Sequence, residues 1–276
     1  GLPVKSQAWF ERSQARLDES RMEPAIGSGP YILDSFEINR WVKYRRNPEY
    51  WGASLPINRG RANFDEIRVE YFADTNAAFE AFKSGAYTMR VENSSKSWAT
   101  AYDFPALNDG HVVKKLMPDG GIANGQSFVM NLRREKFSDI RVRKALSYLF
   151  NFEWSRESLF YGQYARINSF WENSDLAATG LPSSEEMKLL SPLESDLPSG
   201  VLTQDAVMAP VSGTKPMDRA NLRKANALLD DAGWLVGADG LRRNASGDTL
   251  EIEIIEDSAA FDRIVLPLVE NMKAAG

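Results

Sequence analysis

One stretch of the chain, residues 127–151, constrains the fold more than any other. It opens with an apolar run that ends at Asn131 and continues through a short charged turn. After the turn the spacing of the apolar residues changes. Apolar residues then recur at the spacing of one helix face, and they are Val142, Ala145, Leu146, Leu149 and Phe150. Ser138 or Asp139 can cap this helix, because a short side-chain oxygen accepts hydrogen bonds from the first-turn N–H groups. The stretch therefore predicts a strand, a turn and a capped helix.

The rest of the chain mixes strand-like and helix-like patterns. Alternating polarity predicts strands at residues 31–36, 40–45, 66–72, 87–91, 112–116 and 250–256. Helical spacing predicts helices at residues 6–10, 75–84, 97–104, 157–161, 185–190, 220–232 and 259–275. Residues 164–171 and most of the Pro-containing stretch 174–218 are typical of irregular loops. The order strand, helix, strand, helix, strand in the first half indicates an α/β fold.

Composition restricts the chemistry available to this chain. The 33 basic and 38 acidic residues give a net charge of −5, whereas a nucleic-acid groove normally shows a basic excess. There is no cysteine and a single histidine, His111. The chain therefore lacks the residues for thiol chemistry and for Cys/His zinc sites, and His111 is the one histidine available to a Ser-His triad. His111 lies in a turn beside a glycine, where a lone histidine is far more often structural than catalytic.

Paired acids are the one feature that could indicate an enzyme or a cation site. Glu251 and Glu253 point the same way in a strand, and Asp230 and Asp231 lie on a helix's polar face. A half-buried strand and an amphipathic helix produce both pairs without any active site, so a solvated surface is the better interpretation. We therefore expect no catalytic residue and no metal ligand.

Motifs in a fixed order resemble a known family. They are residues 27–31 (Gly-Ser-Gly-Pro-Tyr), 46–52 (Arg-Asn-Pro-Glu-Tyr-Trp-Gly), 77–85, 137–146 (Phe-Ser-Asp-Ile-Arg-Val-Arg-Lys-Ala-Leu) and 221–234. Together they resemble the extracellular solute-binding proteins of family 5, the peptide-binding components of ABC importers. Residues 152–154, 168–170 and the insertion 174–218 are most similar to the oligopeptide and microcin C-type branch of that family.

The resemblance implies a fold and a domain order. The expected class is α/β, periplasmic-binding-protein-like (type II, cluster C), with two lobes of mixed sheets, present in part. Residues 1–26 would end the second subdomain and link it to lobe I, 27–130 would form lobe I, and 131–276 would form the first part of lobe III. A family member is made with a signal peptide and is about twice this length, so we expect this chain to be a fragment lacking both ends of the family's sequence.

The function implied by the resemblance is transport without chemistry. An extracytoplasmic, periplasmic subunit would bind oligopeptides or peptide-like solutes in the cleft between its lobes and deliver them to the permease subunits of an ABC importer. Such a protein needs no cofactor and no nucleic acid. Alternatives from other classes are a ligand-sensing input domain of the same fold, the binding of a non-peptide solute, and an enzyme built on the same lobes.

Candidate ligand-binding residues come mainly from an aromatic and amide-rich loop. Aromatic faces pack on peptide side chains, and amides and hydroxyls pair with peptide backbone. The loop could equally cover the core, but the resemblance places it at the cleft, with Asn131 at the end of the central strand and Ser28 as a further candidate. The predicted site residues are Asn131, Asn168, Ser169, Phe170, Trp171 and Ser28. The family's acidic anchor for the ligand amine would lie beyond Gly276.

Overall fold

A computed structural model describes residues 6–276 except 17, 20, 22 and 25. These residues form two compact units, one ending at Val91 and the other spanning Glu92–Gly276. Each unit has its own internal packing and is described by itself. The predicted lobe boundary between residues 130 and 131 stays a prediction.

The first unit is built on an antiparallel sheet of three sequential strands, β1 (Tyr31–Glu37), β2 (Trp41–Arg46) and β3 (Glu66–Glu70). β1 and β2 form a hairpin, in which Asn39 takes a positive φ of 61° at the turn. Asparagine tolerates this left-handed conformation better than most residues. β2 then pairs with β3 from Trp41 opposite Glu70 to Arg45 opposite Glu66. The strands predicted at 31–36, 40–45 and 66–72 are confirmed.

Two helices complete the first unit. α1 (Gln7–Ser13) begins where the Ser6 side chain accepts a hydrogen bond from the N–H of Trp9, and it runs further than the predicted 6–10. The predicted loop that follows contains residues outside the described part of the chain. α2 (Thr75–Lys83) begins at Asp74, whose carboxylate accepts hydrogen bonds from two backbone N–H groups. Gly85 follows it with a φ of 79°, as expected of a helix C-terminal cap.

The second unit is organised around three amphipathic helices, α5 (Ile140–Leu149), α8 (Arg219–Asp231) and α9 (Asp262–Ala274). α5 packs mainly on α8 and also on α9. Asp139 caps α5 by accepting a hydrogen bond from the N–H of Arg141, which confirms one of the two predicted caps. The core side chains of these helices are Val142, Ala145, Leu146, Leu149, Ala225, Leu229 and Leu268. The central prediction of a capped helix after residue 137 is therefore confirmed.

Shorter elements surround this core. They are α3 (Ser95–Thr100), α4 (Pro105–Asn108), α6 (Phe152–Ser158), α7 (Ser184–Leu190) and a two-stranded antiparallel sheet of β4 (Leu235–Val236) and β5 (Arg242–Arg243). Short 3₁₀ helices occupy Glu135–Phe137, Ser191–Asp196 and Ala259–Phe261 in this unit, and the first unit has one at Pro56–Asn58. The helices predicted at 185–190, 220–232 and 259–275 are confirmed, with small changes at their ends. The remainder of 174–218 is irregular apart from the 3₁₀ turn, as predicted.

Two helix predictions were wrong in their limits. The helix predicted at 97–104 is α3, which ends at Thr100, and it cannot reach residue 104 because Phe104, before Pro105, is held extended with a φ of −153°. The helix predicted at 157–161 lies earlier, at Phe152–Ser158. It cannot continue to residue 161, where Tyr161 takes a positive φ of 54°.

Four strand predictions were wrong: residues 87–91, 112–116, 127–131 and 250–256 form no β-strand in the described structure. In the last segment the alternation itself is present, since Leu250, Ile252 and Ile254 pack against the core while Glu251 and Glu253 are exposed. Alternating polarity requires only one buried face. A strand also requires a ladder of hydrogen bonds to a neighbouring backbone, and the described residues form only isolated backbone bonds along these segments, such as the one from the N–H of Leu250 to the carbonyl of Arg242 at 2.8 Å.

Buried amides fix the irregular chain before α8. The Nδ2 group of Asn271 donates hydrogen bonds to the carbonyls of Leu149 and Pro216 at 2.9 and 3.0 Å. Asn151 donates to the same Pro216 carbonyl at 2.6 Å. Asn221, on α8, donates to the carbonyl of Val211 at 3.0 Å. These bonds satisfy carbonyls that the loop cannot pair by itself.

A buried arginine joins the ends of two helices. The side chain of Arg242 is 2% exposed. It donates hydrogen bonds to the carbonyls of Ala275 and Trp234, both at 2.5 Å, to the Asp230 carboxylate at 2.6 Å and to the Asn226 side chain at 3.1 Å. Arg242 thus satisfies carbonyls after α8 and α9 that have no helical partner.

Removal of Arg242 is expected to leave these acceptors buried and unpaired. Arg242→Met should lower the free energy of unfolding by about 2–6 kcal/mol, because the carbonyls of Trp234 and Ala275 both lose their donor and each buried acceptor left unpaired costs about 1–3 kcal/mol. Arg243→Met is the matched control, because its ion pair with Asp239 is partly exposed and should contribute less than about 1 kcal/mol. Chemical denaturation of both variants measures the difference, and equal effects would contradict this role.

Asp218 caps α8 and also fixes the loop before it. One carboxylate oxygen accepts hydrogen bonds from the N–H groups of Ala220 and Asn221 at 2.8 and 2.9 Å, and the other from the N–H of Gly213 at 2.8 Å. These bonds, above all those from Asn221 and Gly213, hold the pKa of Asp218 below its usual value. The ionised form is therefore favoured in the folded state.

The contribution of Asp218 is expected to depend on pH. Its folded pKa lies below the unfolded value of about 3.9, so the stabilisation is complete above that pH and is lost as the pH falls through the folded pKa. Asp218→Ala should cost about 1–2 kcal/mol at neutral pH, and the cost should shrink below about pH 4. Asp231→Ala, at the exposed far end of α8, is the control. Urea denaturation across pH 2.5–7 checks both, and a cost independent of pH would contradict the assignment.

Candidate functional site

A loop and an extended segment lie side by side in the second unit. The loop spans residues 163–173 and the segment spans 119–131. The N–H of Ala123 donates to the carbonyl of Glu172 at 2.9 Å. The Asn173 side chain donates to the carbonyls of Asp119 and Gly121 at 3.2 and 2.7 Å. The loop predicted to bind ligand is thus fixed along one side.

Two predicted site residues, Asn168 and Ser169, hold the loop in shape. The side-chain oxygen of Asn168 accepts a hydrogen bond from the N–H of Ala209 at 2.9 Å. The Ser169 hydroxyl accepts from the N–H of Trp171 at 3.1 Å and from that of Ala178 at 3.4 Å. Both side chains are half-buried. The side-chain oxygens of both residues therefore already accept intramolecular hydrogen bonds.

The other two predicted loop residues, Phe170 and Trp171, present apolar surface to solvent. Phe170 is 98% exposed and Trp171 is 49% exposed. An isolated exposed apolar residue is ordinary, but here two aromatic rings are adjacent on a loop that hydrogen bonds hold in place. We call Phe170 and Trp171 together the aromatic platform, and its exposed apolar surface can pack against the side chains of a ligand.

Arg166 is held in the same loop by two aromatic rings. Its guanidinium carbon lies 5.4 Å from the ring centroid of Phe150 and 5.4 Å from that of Phe152. Phe152 is buried, and Phe150 packs edge-on against Phe128 of the neighbouring segment at 5.7 Å. Burial lowers the pKa of Arg166, and the charge of Glu153 opposes that change. Sequence reasoning missed this residue.

Glu153 is the acidic group that influences Arg166. One of its carboxylate oxygens accepts hydrogen bonds from the N–H and the hydroxyl of Ser212, both at 2.7 Å. Burial by itself raises the pKa of Glu153, but the hydrogen bonds from Ser212 and the charge of Arg166 outweigh burial and bring the pKa below its usual value. Glu153 is therefore ionised at neutral pH and fixed by Ser212.

Asn131 has a local role in the described structure. Its side-chain oxygen accepts hydrogen bonds from the N–H and the Nε of Arg133, both at 3.2 Å, which closes a turn. A shallow depression of about 560 Å³ is lined by Val129, Met130, Asn131, Leu132 and Arg133. One continuous segment forms this depression, so it is a surface feature and not a cleft.

Ser28 lies in the first unit and is exposed. Its carbonyl accepts a hydrogen bond from the Trp51 indole N–H at 3.0 Å, which links two of the motifs identified in the sequence. Among the six predicted residues, only Asn168, Ser169, Phe170 and Trp171 are brought together on one surface by the described structure of a single unit. A role in ligand binding stays a prediction for all six.

Other chemistries find little support in the residues that the structure describes. No group of three or more His, Asp or Glu side chains is arranged to hold a metal ion among them. Asp230, one of the paired acids, is bound by Arg242, and Glu251 and Glu253 are exposed. Within the same described part of the chain, none of the helices has the length and apolar character to cross a bilayer.

The fold is that of the periplasmic binding proteins. A solved relative in structure is the oligopeptide-binding protein AppA from Bacillus subtilis in complex with a nonapeptide, with a TM-score of 0.53 and 19% identity over 90% of this chain and 40% of that one. The predicted class, a periplasmic-binding-protein-like α/β fold, is confirmed. In the described residues both sheets are antiparallel.

The sequence pattern described as "Bacterial extracellular solute-binding proteins, family 5 Middle" matches residues 4–276. The chain therefore belongs to family 5 of the bacterial extracellular solute-binding proteins, as the motifs predicted. It is 37% identical over its whole length to the uncharacterized protein YejA of Escherichia coli strain K12, of which it covers 45%. It is 39% identical over 94% of its length to the probable peptide-binding protein YejA of Agrobacterium fabrum, of which it covers 42%. The chain thus spans less than half the length of these relatives.

The division of the loop into anchoring and exposed residues has a measurable consequence. Asn168→Ala should speed hydrogen exchange at the Ala209 amide about fivefold to tenfold, because one intramolecular hydrogen bond is lost. Phe170→Ala should leave that exchange rate unchanged, because its side chain is almost fully exposed. Hydrogen-exchange NMR measures both variants. The same exchange rate in both would show that Asn168 does not anchor residue 209.

Proposed function

We propose that this chain is part of the substrate-binding subunit of an ABC importer, which binds oligopeptides or peptide-like solutes and delivers them to membrane permease subunits. The ligand would bind in a cleft between lobes, and closure would present it to the permease. The subunit works outside the cytoplasmic membrane, in the periplasm. No chemical step and no cofactor is part of this function.

The observation that carries the proposal is the aromatic platform of Phe170 and Trp171 on an anchored loop. Exposed aromatic rings with few rotatable bonds give large contact area at low entropic cost, and they accept side chains of many shapes. Membership of family 5 supports a solute-binding role. Peptides are favoured as the solute because a relative is named a probable peptide-binding protein and a structure of the same fold holds a nonapeptide.

Isothermal titration with a pool of tri- to octapeptides tests the proposal. The full-length natural protein should bind saturably, and the 276-residue chain should not, because it spans less than half the length of its curated relatives. Binding by the chain alone would assign the main contacts to residues such as Asn131 and Trp171. No binding by either protein would contradict the peptide hypothesis and favour another solute.

Substitution of the platform separates contact from folding. Phe170→Ala and Trp171→Ala in the full-length protein should each weaken peptide binding about fivefold to thirtyfold, the usual effect of losing a buried aromatic contact. Leu189→Ala on α7 is the control, because it removes an apolar side chain that is 74% exposed in the same unit. Unchanged affinity in both aromatic variants would remove the platform from the binding site.

A further inference from the structure

Arg166 is fixed in position by packing. Its guanidinium lies against the rings of Phe150 and Phe152, and the backbone around it is tied down at Asn168 and Glu172. The N–H of Asn168 donates to the Glu172 carboxylate at 3.0 Å. A guanidinium held in this way presents its donors in one direction, because the group is planar and its N–H bonds form a rigid fork.

The donors of Arg166 have no acceptor among the residues that the structure describes. The guanidinium makes neither a hydrogen bond nor an ion pair within residues 6–276, leaving aside 17, 20, 22 and 25, and is half-buried. Arg242, in the same unit, is a contrasting case, because its buried guanidinium donates hydrogen bonds to four acceptors within the chain. No Arg166 nitrogen is among the buried unpartnered side-chain atoms of the described residues, so its donors are accessible to solvent. A charged acceptor that approaches from solvent can therefore reach them, and it forms stronger hydrogen bonds than a neutral one does.

Glu153 does not take up these donors. Its charge acts on Arg166, but it forms no ion pair with it, and Ser212 engages one of its oxygens through two hydrogen bonds of 2.7 Å. The fork of Arg166 therefore stays available to an acceptor that approaches from outside. A carboxylate is the acceptor that matches a guanidinium fork with two parallel hydrogen bonds.

We propose that Arg166 binds a carboxylate of the transported ligand. The proposal rests on the function proposed above, because Phe170 and Trp171 follow Arg166 in the same loop and would contact the same ligand. A peptide offers a carboxylate at its C-terminus and on acidic side chains. Arg166 would bind that group while the aromatic platform accepts the neighbouring side chains.

The direct test observes the Nε–H NMR signal of Arg166 in the arginine-labelled full-length protein. The signal is assigned by its absence in Arg166→Lys. Sodium acetate is expected to shift it saturably, whereas sodium chloride at equal ionic strength is not. The exposed Arg223 of α8 serves as the reference signal. An Arg166 signal that responds alike to both salts would overturn the proposal, whatever peptides do.

Three tetrapeptides then identify the source of the carboxylate: tetra-alanine with a free C-terminus, its C-terminal amide, and the amide of Ala-Ala-Glu-Ala. Recognition of the C-terminus predicts that the free acid binds about tenfold more tightly than its amide. Recognition of a side chain predicts that the glutamate peptide binds more tightly than the tetra-alanine amide. Either preference should disappear in Arg166→Gln and persist in Arg223→Gln.

The remaining outcomes separate this proposal from the proposed function. Three peptides that bind the wild type equally, or a preference that Arg166→Gln retains, would overturn the role of Arg166 and leave peptide binding intact. Failure of all three peptides to bind would count against the peptide function. The acetate titration then decides the carboxylate site, since it needs no peptide and uses the Arg166→Lys variant only to assign the signal.

Discussion

The close contact of two helices through alanine is the constraint on which the second unit depends. Ala145 of α5 and Ala225 of α8 are both completely buried, so the two helix backbones can approach closely. Val142, Leu149 and Leu229 fill the space on either side, and α9 closes the group through Leu268. A larger side chain at either alanine would separate the helices and shift everything attached to them. α6 follows α5 directly, and the loop with the candidate site follows α6. The packing of α5 on α8 therefore determines where this loop lies in the unit.

Polar groups complete the arrangement that the apolar contacts begin. Arg242 satisfies carbonyls that follow α8 and α9, and Asn151, Asn221 and Asn271 pair with carbonyls of the irregular chain between residues 211 and 216. Buried polar groups of this kind are stabilising only when every partner is present. They let a stretch with no regular secondary structure keep one conformation against the helical core.

The sequence predicts the local part of this structure well. The helix after Asp139 and the hairpin around Asn39 follow from a cap, a turn residue and a short-range apolar pattern, all contained within a few residues. The segments 112–116 and 250–256 show where such reasoning ends, because a strand depends on a distant partner that periodicity does not report. The site behaves in the same way. The aromatic loop is visible in the sequence, but the stacking of Arg166 on Phe150 and Phe152 arises only when α6 and the loop are folded together.

The segment of residues 127–130 runs through the described structure without a backbone hydrogen bond to another described residue, and Val129 on it is 90% exposed. A backbone in this state resembles the uncovered edge of a sheet, to which another extended chain can add by hydrogen bonding. Because an uncovered backbone edge is a common starting point of aggregation, the chain is best handled at low protein concentration.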